Sequence, residues 1–311
     1  MNRPIDNKGG SLLERAAEVY DFSAHFRAPV IPAEDLPPAP PVEPAAARVA
    51  PLPAAPTPVQ YAASMPAREV AIDRDLLVEN GMLVPGAPVR VLAEEFRLAK
   101  RQLLLTARRL ADSDPARART MLVCSPQPGD GKTYCAINLA ISMAAERDLR
   151  VLLVDADFPK PDVMKRLGVA DGPGLLDALA DPAIDIESCV VGTDIPGLSL
   201  LPAGASSTAD TELIASDRTP ALIARLLAAD PERIVIFDSP PALAASPASV
   251  LALHVGQIMF VVRADRTLEG DIRDAVHRLD GCEEVQLLLN SVSFAPSGAR
   301  YGSYYGQGDG Q

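Results

Sequence analysis

The sequence predicts an α/β fold: a doubly wound, mostly parallel sheet with helices on both faces. Six short apolar runs recur along it: MLVCS (121–125), VLLVD (151–155), LSLLP (198–202), IVIFD (234–238), IMFVV (258–262) and VQLLL (285–289). Each reads as a continuous Val/Ile/Leu stretch rather than an alternating one, the pattern of a strand covered on both faces. Amphipathic stretches separate them at 133–146, 161–168, 210–229, 246–254 and 267–279. Strand and helix therefore alternate, as a parallel sheet with crossover helices requires.

The segments ahead of the first run divide by composition. Residues 11–26 place Leu12, Leu13, Ala16, Val19 and Tyr20 roughly on one helical face, so a short amphipathic helix is expected there. Residues 27–66 hold 12 of the 30 prolines, mixed with Ala and few large apolar side chains. Such a stretch cannot bury enough surface to offset its ordering entropy and reads as a disordered or polyproline-like linker. Residues 1–66 are thus expected as an arm and 67–295 as the folded domain. Within that domain residues 90–111 carry Leu92, Phe96, Ala99, Leu103 and Leu104 at helical spacing. Residues 296–311, with Tyr and Gly and no apolar pattern, are expected as a flexible tail.

Bulk composition excludes several functions. With 48% apolar residues, 4% aromatics and no Trp, the chain can bury a sizeable core that must be largely aliphatic. The formal net charge of -12 argues against nucleic acid, because a phosphate-binding face needs surplus Lys and Arg. Cys124, Cys135, Cys189 and Cys282 show no metal-ligand spacing and read as buried thiols of a reducing compartment. The N-terminus lacks the apolar run of a signal peptide, and no stretch reaches the ~20 apolar residues of a membrane span. A soluble, cytoplasmic protein is expected.

Between the first run and the helix after it lies PQPGDGKT (126–133). A strand, a Gly-rich turn and Lys-Thr opening a helix form the context of a phosphate-binding P-loop. Gly129 and Gly131 let backbone N–H groups turn inward around phosphate oxygens, and the helix N-terminus adds its dipole. Lys132 can reach the β and γ phosphates as a point charge, and Thr133 can offer its hydroxyl to Mg²⁺. Gly129, Asp130, Gly131, Lys132, Thr133 and Tyr134 are the expected nucleotide contacts, with ATP and Mg²⁺ as cofactors. Pro126 stands where the usual loop has its first Gly.

Two other runs end in acid. VLLVDAD puts Asp155 at a strand end with Asp157 just beyond, and IVIFDSPP puts Asp238 at another. Asp is a poor strand residue, and ligands of doubly wound sheets bind at the carboxyl ends of the strands. All three acids should therefore share a rim with the P-loop. Carboxylates there suit Mg²⁺, and one can accept a proton from an attacking hydroxyl.

SPQPGDGKT, VLLVDADFPKP and VIFDSPP resemble the Walker A, Walker A′ and Walker B motifs of bacterial tyrosine kinases, the autokinases of exopolysaccharide and capsule export. The resemblance runs from about residue 85 to the C-terminus; GMLVPGAP followed by AEEFRLAKRQLL resembles the exosortase-associated branch. It implies that Lys132 and Thr133 bind ATP phosphates and Mg²⁺, that Asp155 contacts the metal and activates a tyrosine hydroxyl, that Asp157 assists, and that Asp238 holds Mg²⁺ through water. It implies base recognition by Asn290, and subunit contacts in a ring by Glu94, Arg97 and Lys100, which resemble an ExxRxxR motif. Tail tyrosines of one subunit, here Tyr301, Tyr304 and Tyr305, would enter the site of the next. A membrane chain-length determinant of polysaccharide export would be the partner, through its cytoplasmic tail.

The sequence departs from that pattern at Lys100, which lacks the bidentate fork of Arg, at Pro159 in place of a basic residue, and at ASPAS (245–249), where an acid is missing. Two other readings stay open. A ParA/MinD-like positioning ATPase would usually carry Lys where Gln127 stands and gives the tyrosine tail no purpose. A non-catalytic nucleotide-binding regulatory subunit would use tail and arm only as docking peptides.

Overall fold

The computed structural model describes residues 68–88 and 91–292. The expected arm and tail, with Tyr301, Tyr304 and Tyr305, lie outside the described residues. Eight strands form one sheet: β1 (Arg68–Val70), β2 (Thr120–Cys124), β3 (Arg150–Asp155), β4 (Val191–Thr193), β5 (Leu198–Leu201), β6 (Arg233–Asp238), β7 (Gln257–Arg263) and β8 (Val285–Asn290). Their order is β1-β4-β5-β3-β6-β2-β7-β8. All pairings are parallel except β4 with β5. The six expected strands form the parallel block. The two short strands at one edge, REV and VGT, carry too few residues for a periodic signal.

Alternate residues of the central strands feed two cores, one on each face. Leu122, Cys124, Leu152, Val154, Val235 and Phe237 belong to one, and Met121, Val123, Val151, Leu153, Ile234 and Ile236 to the other. The second face is covered by α1 (Arg74–Glu79), α2 (Val91–Ala111), α3 (Lys132–Ala144) and α4 (Val163–Arg166). The first is covered by α5 (Leu175–Ala180), α6 (Asp210–Ile214), α7 (Arg218–Ala229), α8 (Pro247–Ala252) and α9 (Glu269–Arg278). Helix α3 is apolar nearly all round and ten of its residues are buried, as befits a helix wedged between the sheet and α2.

The amphipathic stretch over 210–229 forms two helices. Pro220 lacks the N–H that a continuous helix would need there and is tolerated only in a first turn. The chain therefore restarts as α7 at Arg218, with the Thr219 hydroxyl donating to the Ile214 carbonyl at 2.7 Å.

The site follows from the strand order. From β2 the chain passes through α3 to β3, skipping the place that β6 fills, and from β6 it passes through α8 to β7 on the other side of β2. The order reverses at β2, and ligands of open α/β sheets bind in the crevice at such a point.

Candidate active site

The loop after β2 turns back through two left-handed glycines, Gly129 (φ 86°) and Gly131 (φ 99°). Gly131 caps α3, and a Cβ there would collide with the Asn290 side-chain amide. Pro126 fits, because the left-handed turns fall at 129 and 131; its carbonyl accepts from the Leu243 N–H.

The loop is braced from within and from β7 and β8. The buried Asp130 carboxylate accepts from the Gln127 N–H at 2.9 Å and the Thr267 hydroxyl at 3.1 Å. Arg263 donates to the Gly129 carbonyl at 3.2 Å, and the Asn290 amide to the Asp130 carbonyl at 2.8 Å. The Asp130 side chain thus organises the loop, and the Asn290 amide supports it from below. The Tyr134 hydroxyl donates to the Gly81 carbonyl at 2.8 Å, leaving its backbone as the part of Tyr134 available to a phosphate.

Asp157 and Asp238 converge on Lys132, and Asp155 stands beside Asp238. Strand register sets Asp155 of β3 opposite Asp238 of β6. Asp155 is fully buried; one oxygen accepts from the Asp162 N–H at 3.0 Å and the Val163 N–H at 2.9 Å, and the other from the Asp157 N–H at 3.3 Å. Burial, with the facing Asp238 charge, pushes its pKa up to about 7. Asp157 forms an ion pair with the Lys132 ammonium, which lies 3.4 Å from the Thr133 hydroxyl. Burial alone would lower the Lys132 pKa, but the Asp238 and Asp157 charges raise it, so the ammonium keeps its proton.

Asp238 is fully buried and neither oxygen has a hydrogen-bond partner among the described residues. Burial pushes it up to about 6, against the charge of Lys132; the nearby Thr133 hydroxyl also favours the charged form but closes no hydrogen bond with it. A buried carboxylate left this way is costly unless something occupies its lone pairs. A divalent cation with its water shell, beside a Thr hydroxyl and a phosphate cradle, fits that need. Over these groups lies a cleft of ≈ 410 Å³, lined among others by Gly129, Lys132, Thr133, Asp157 and Pro240, of a size to hold a nucleotide's phosphates and more.

Glu94, Arg97 and Lys100 lie on α2, away from this cleft. Arg97 pairs with Glu94 and is half exposed. Lys100 is different: it is buried, donates to the Ser142 carbonyl at 2.9 Å and pairs with Glu146 at 2.6 Å. Of the three, Lys100 is thus the one committed to tying α2 to α3.

Sequence reasoning missed three contributors. Thr267 and Arg263 brace the P-loop from 134 or more residues away, and no local pattern announces that. Arg166 lines the cleft and pairs with Asp162; its one signal is the i,i+4 spacing of those two residues just after DADFPKP.

A family model described as an AAA domain matches residues 118–279, which hold β2 through α9 and with them the P-loop and all three acids. The chain belongs to the AAA domain family. Membership in this P-loop class implies nucleotide binding with a divalent metal. The chain is 29% identical over 230 residues to the tyrosine-protein kinase Wzc of Salmonella typhimurium, covering 73% of this chain and 30% of that protein. It is 29% identical over 239 residues to the tyrosine-protein kinase YwqD of Bacillus subtilis, covering 76% of this chain and 96% of that protein. The solved VpsO kinase domain matches with a TM-score of 0.50 and 27% identity, over 62% of this chain and 97% of that one. The chain thus spans about a third of the length of Wzc and nearly all of YwqD. Among the described residues no helix is long and apolar enough to cross a membrane.

Proposed function

We propose that the chain is an ATP-dependent protein-tyrosine autokinase that phosphorylates its own tail at Tyr301, Tyr304 or Tyr305 in a neighbouring copy. The observation that carries it is the pairing of Asp155 with the unpartnered Asp238 beside Lys132 and Thr133, in a chain whose relatives are named as tyrosine kinases.

The residues divide the work. The P-loop backbone and Lys132 hold the ATP phosphates, while Asp130, Arg263 and Asn290 keep the loop in shape for them. Thr133 and Asp238, with Asp155 beside them, would hold Mg²⁺, which neutralises charge developing on the phosphates. The acceptor tyrosine oxygen forms a bond to the γ-phosphorus as the bond from that phosphorus to the bridging oxygen of ADP breaks. The phenolic proton passes to the Asp155 carboxylate, acting as general base. Asp157 positions the Lys132 ammonium. Glu94 and Arg97 on the outer face of α2 would serve contact between copies, in a ring-like homo-oligomer that carries each tail to the next site. Phosphorylation would load several negative charges onto 11 residues and favour separation of the copies. Following the resemblance of its motifs to bacterial tyrosine kinases, the partner would be the cytoplasmic tail of a membrane protein that sets polysaccharide chain length, recruiting the kinase to the inner face of the plasma membrane and tying phosphorylation to polysaccharide export.

The test is phosphotyrosine detection and tail mass spectrometry on the full chain expressed with a candidate activator tail. Phosphate should appear on the tail and vanish in Lys132→Met, in Asp155→Asn and in the Tyr301/Tyr304/Tyr305→Phe variant. ATP binding without phosphotyrosine, activator present, would sink the reading and leave a nucleotide-dependent switch.

A further inference from the structure

We propose that Arg166 is a second nucleotide contact, one that reads the γ-phosphate of ATP from the wall of the cleft facing the P-loop. The inference rests on the reading of this cleft as an ATP site, and not on the tail being the acceptor.

Arg166 closes the four-residue helix α4 and lines the same cleft as Gly129, Lys132 and Thr133. Its place is set by the catalytic carboxylate itself. The N–H groups of Asp162 and Val163 donate to one oxygen of Asp155, fixing the start of α4. The Arg166 N–H then donates to the Asp162 carbonyl at 3.0 Å, and its Nε to the Asp162 carboxylate. Buried Val163, Met164 and Leu167 anchor this turn against the core. The guanidinium is thus held by a chain of contacts that begins at the reacting centre, although it comes from a different strand crossover than the P-loop.

Only Nε of the guanidinium is committed; its two terminal nitrogens carry no hydrogen bond among the described residues. A planar fork with free donors matches two phosphate oxygens, which a lysine ammonium cannot do. The Lys132 ammonium is paired with Asp157, with Asp238 beside it, and Arg263 is turned onto the Gly129 carbonyl. Among the residues that line the cleft, Pro159 carries no charge, Lys160 is exposed at its edge and Arg166 supplies the guanidinium. The positive charge of Arg166 is felt at the buried Asp238, which places it within electrostatic reach of the group expected to hold the metal. ATP differs from ADP by the γ-phosphoryl group, so a contact that reads it should be worth most for ATP.

The experiment is calorimetric titration of the full chain, with Mg²⁺, by a non-hydrolysable ATP analogue and separately by ADP. Arg166→Gln should weaken analogue binding by about tenfold or more, the range for a lost hydrogen bond to a charged group, and leave ADP binding within about twofold. Arg166→Lys should recover only part of the loss, since it restores charge without the fork. Equal weakening of analogue and ADP, or none, would overturn the proposal and reduce Arg166 to a partner of Asp162; unchanged thermal melting separates the first result from misfolding. A wild type that binds the analogue yet never phosphorylates tyrosine would sink the kinase reading alone. A wild type that binds neither nucleotide would sink both.

Discussion

Gly131 shows how a single position couples backbone conformation to a distant strand. Its φ of 99° is one that L side chains rarely adopt, and the space a Cβ would fill holds the Asn290 amide. That amide in turn donates to the neighbouring Asp130 carbonyl. Gly131→Ala should therefore displace both loop and amide and weaken ATP binding by at least about tenfold, since misplacing a binding loop by an ångström is enough to lose that much. Adding Asn290→Ala should not restore it, because relief of the collision also removes the support. Nucleotide titration of the two variants checks this; wild-type affinity in Gly131→Ala would refute it. The Gly-rich loop was legible in the sequence, as its glycines sit within a few residues of each other. The role of Asn290 under the loop was not, since 160 residues separate it from its acceptor.

At the scale of elements, Lys100 decides how the amphipathic helix α2 is read. Its spacing with Glu94 and Arg97 resembles a surface motif, yet its ammonium is turned onto the Ser142 carbonyl and Glu146 near the end of α3. Lys100→Ala should destabilise the fold by about 1–3 kcal/mol, the cost of leaving a carbonyl unpaired and losing the stem's packing. Urea unfolding measures it; unchanged stability with altered association would return Lys100 to the surface role. A second buried tie, between Arg233 of β6 and Glu187 of the 3₁₀ turn Ile186–Cys189, pins the connection leading to β4. Removing one partner leaves a buried charge, so Glu187→Ala should cost about 3–5 kcal/mol. Its chemical-denaturation midpoint should fall well below that of Arg273→Ala, which breaks only an exposed helix pair.

For the whole molecule, the site is a source of instability until its ligand binds. The pKa values of Asp155 and Asp238 are raised to about 7 and about 6. A raised carboxylate contributes stability that is fully present below its unfolded pKa, near 4, and is lost as pH rises through the folded value. The ligand-free protein should therefore lose stability from these two groups between about pH 4 and about pH 7, with no further loss above. Asp238→Asn should melt several degrees higher than wild type at pH 8 and show little gain at pH 4. Mg-nucleotide at about 100 times its Kd should stabilise wild type by ~2.7 kcal/mol, and Asp238→Asn by much less. Melting curves across pH, with and without Mg-nucleotide, read all of this; a variant that melts below wild type at pH 8 would show that Asp238 is satisfied without metal.

The sequence by itself determined the strands of the parallel block, the helix pattern between most of them, the phosphate loop and the acids at the ends of VLLVD and IVIFD. These are signals of short range, written in periodicity and in the spacing of neighbours. The break within the amphipathic stretch 210–229 is also local, since Pro220 can stand only in the first turn of a helix. Tertiary structure alone decided the register that sets Asp155 against Asp238, the missing partners of Asp238, the inward turn of Lys100, the seat of Asn290 beneath Gly131 and the place of Arg166 on the cleft wall. Each of those joins residues that are far apart along the chain or depends on which face of an element meets the core. Packing of the two faces of the sheet fixes them, and no window of sequence contains both sides of that contact.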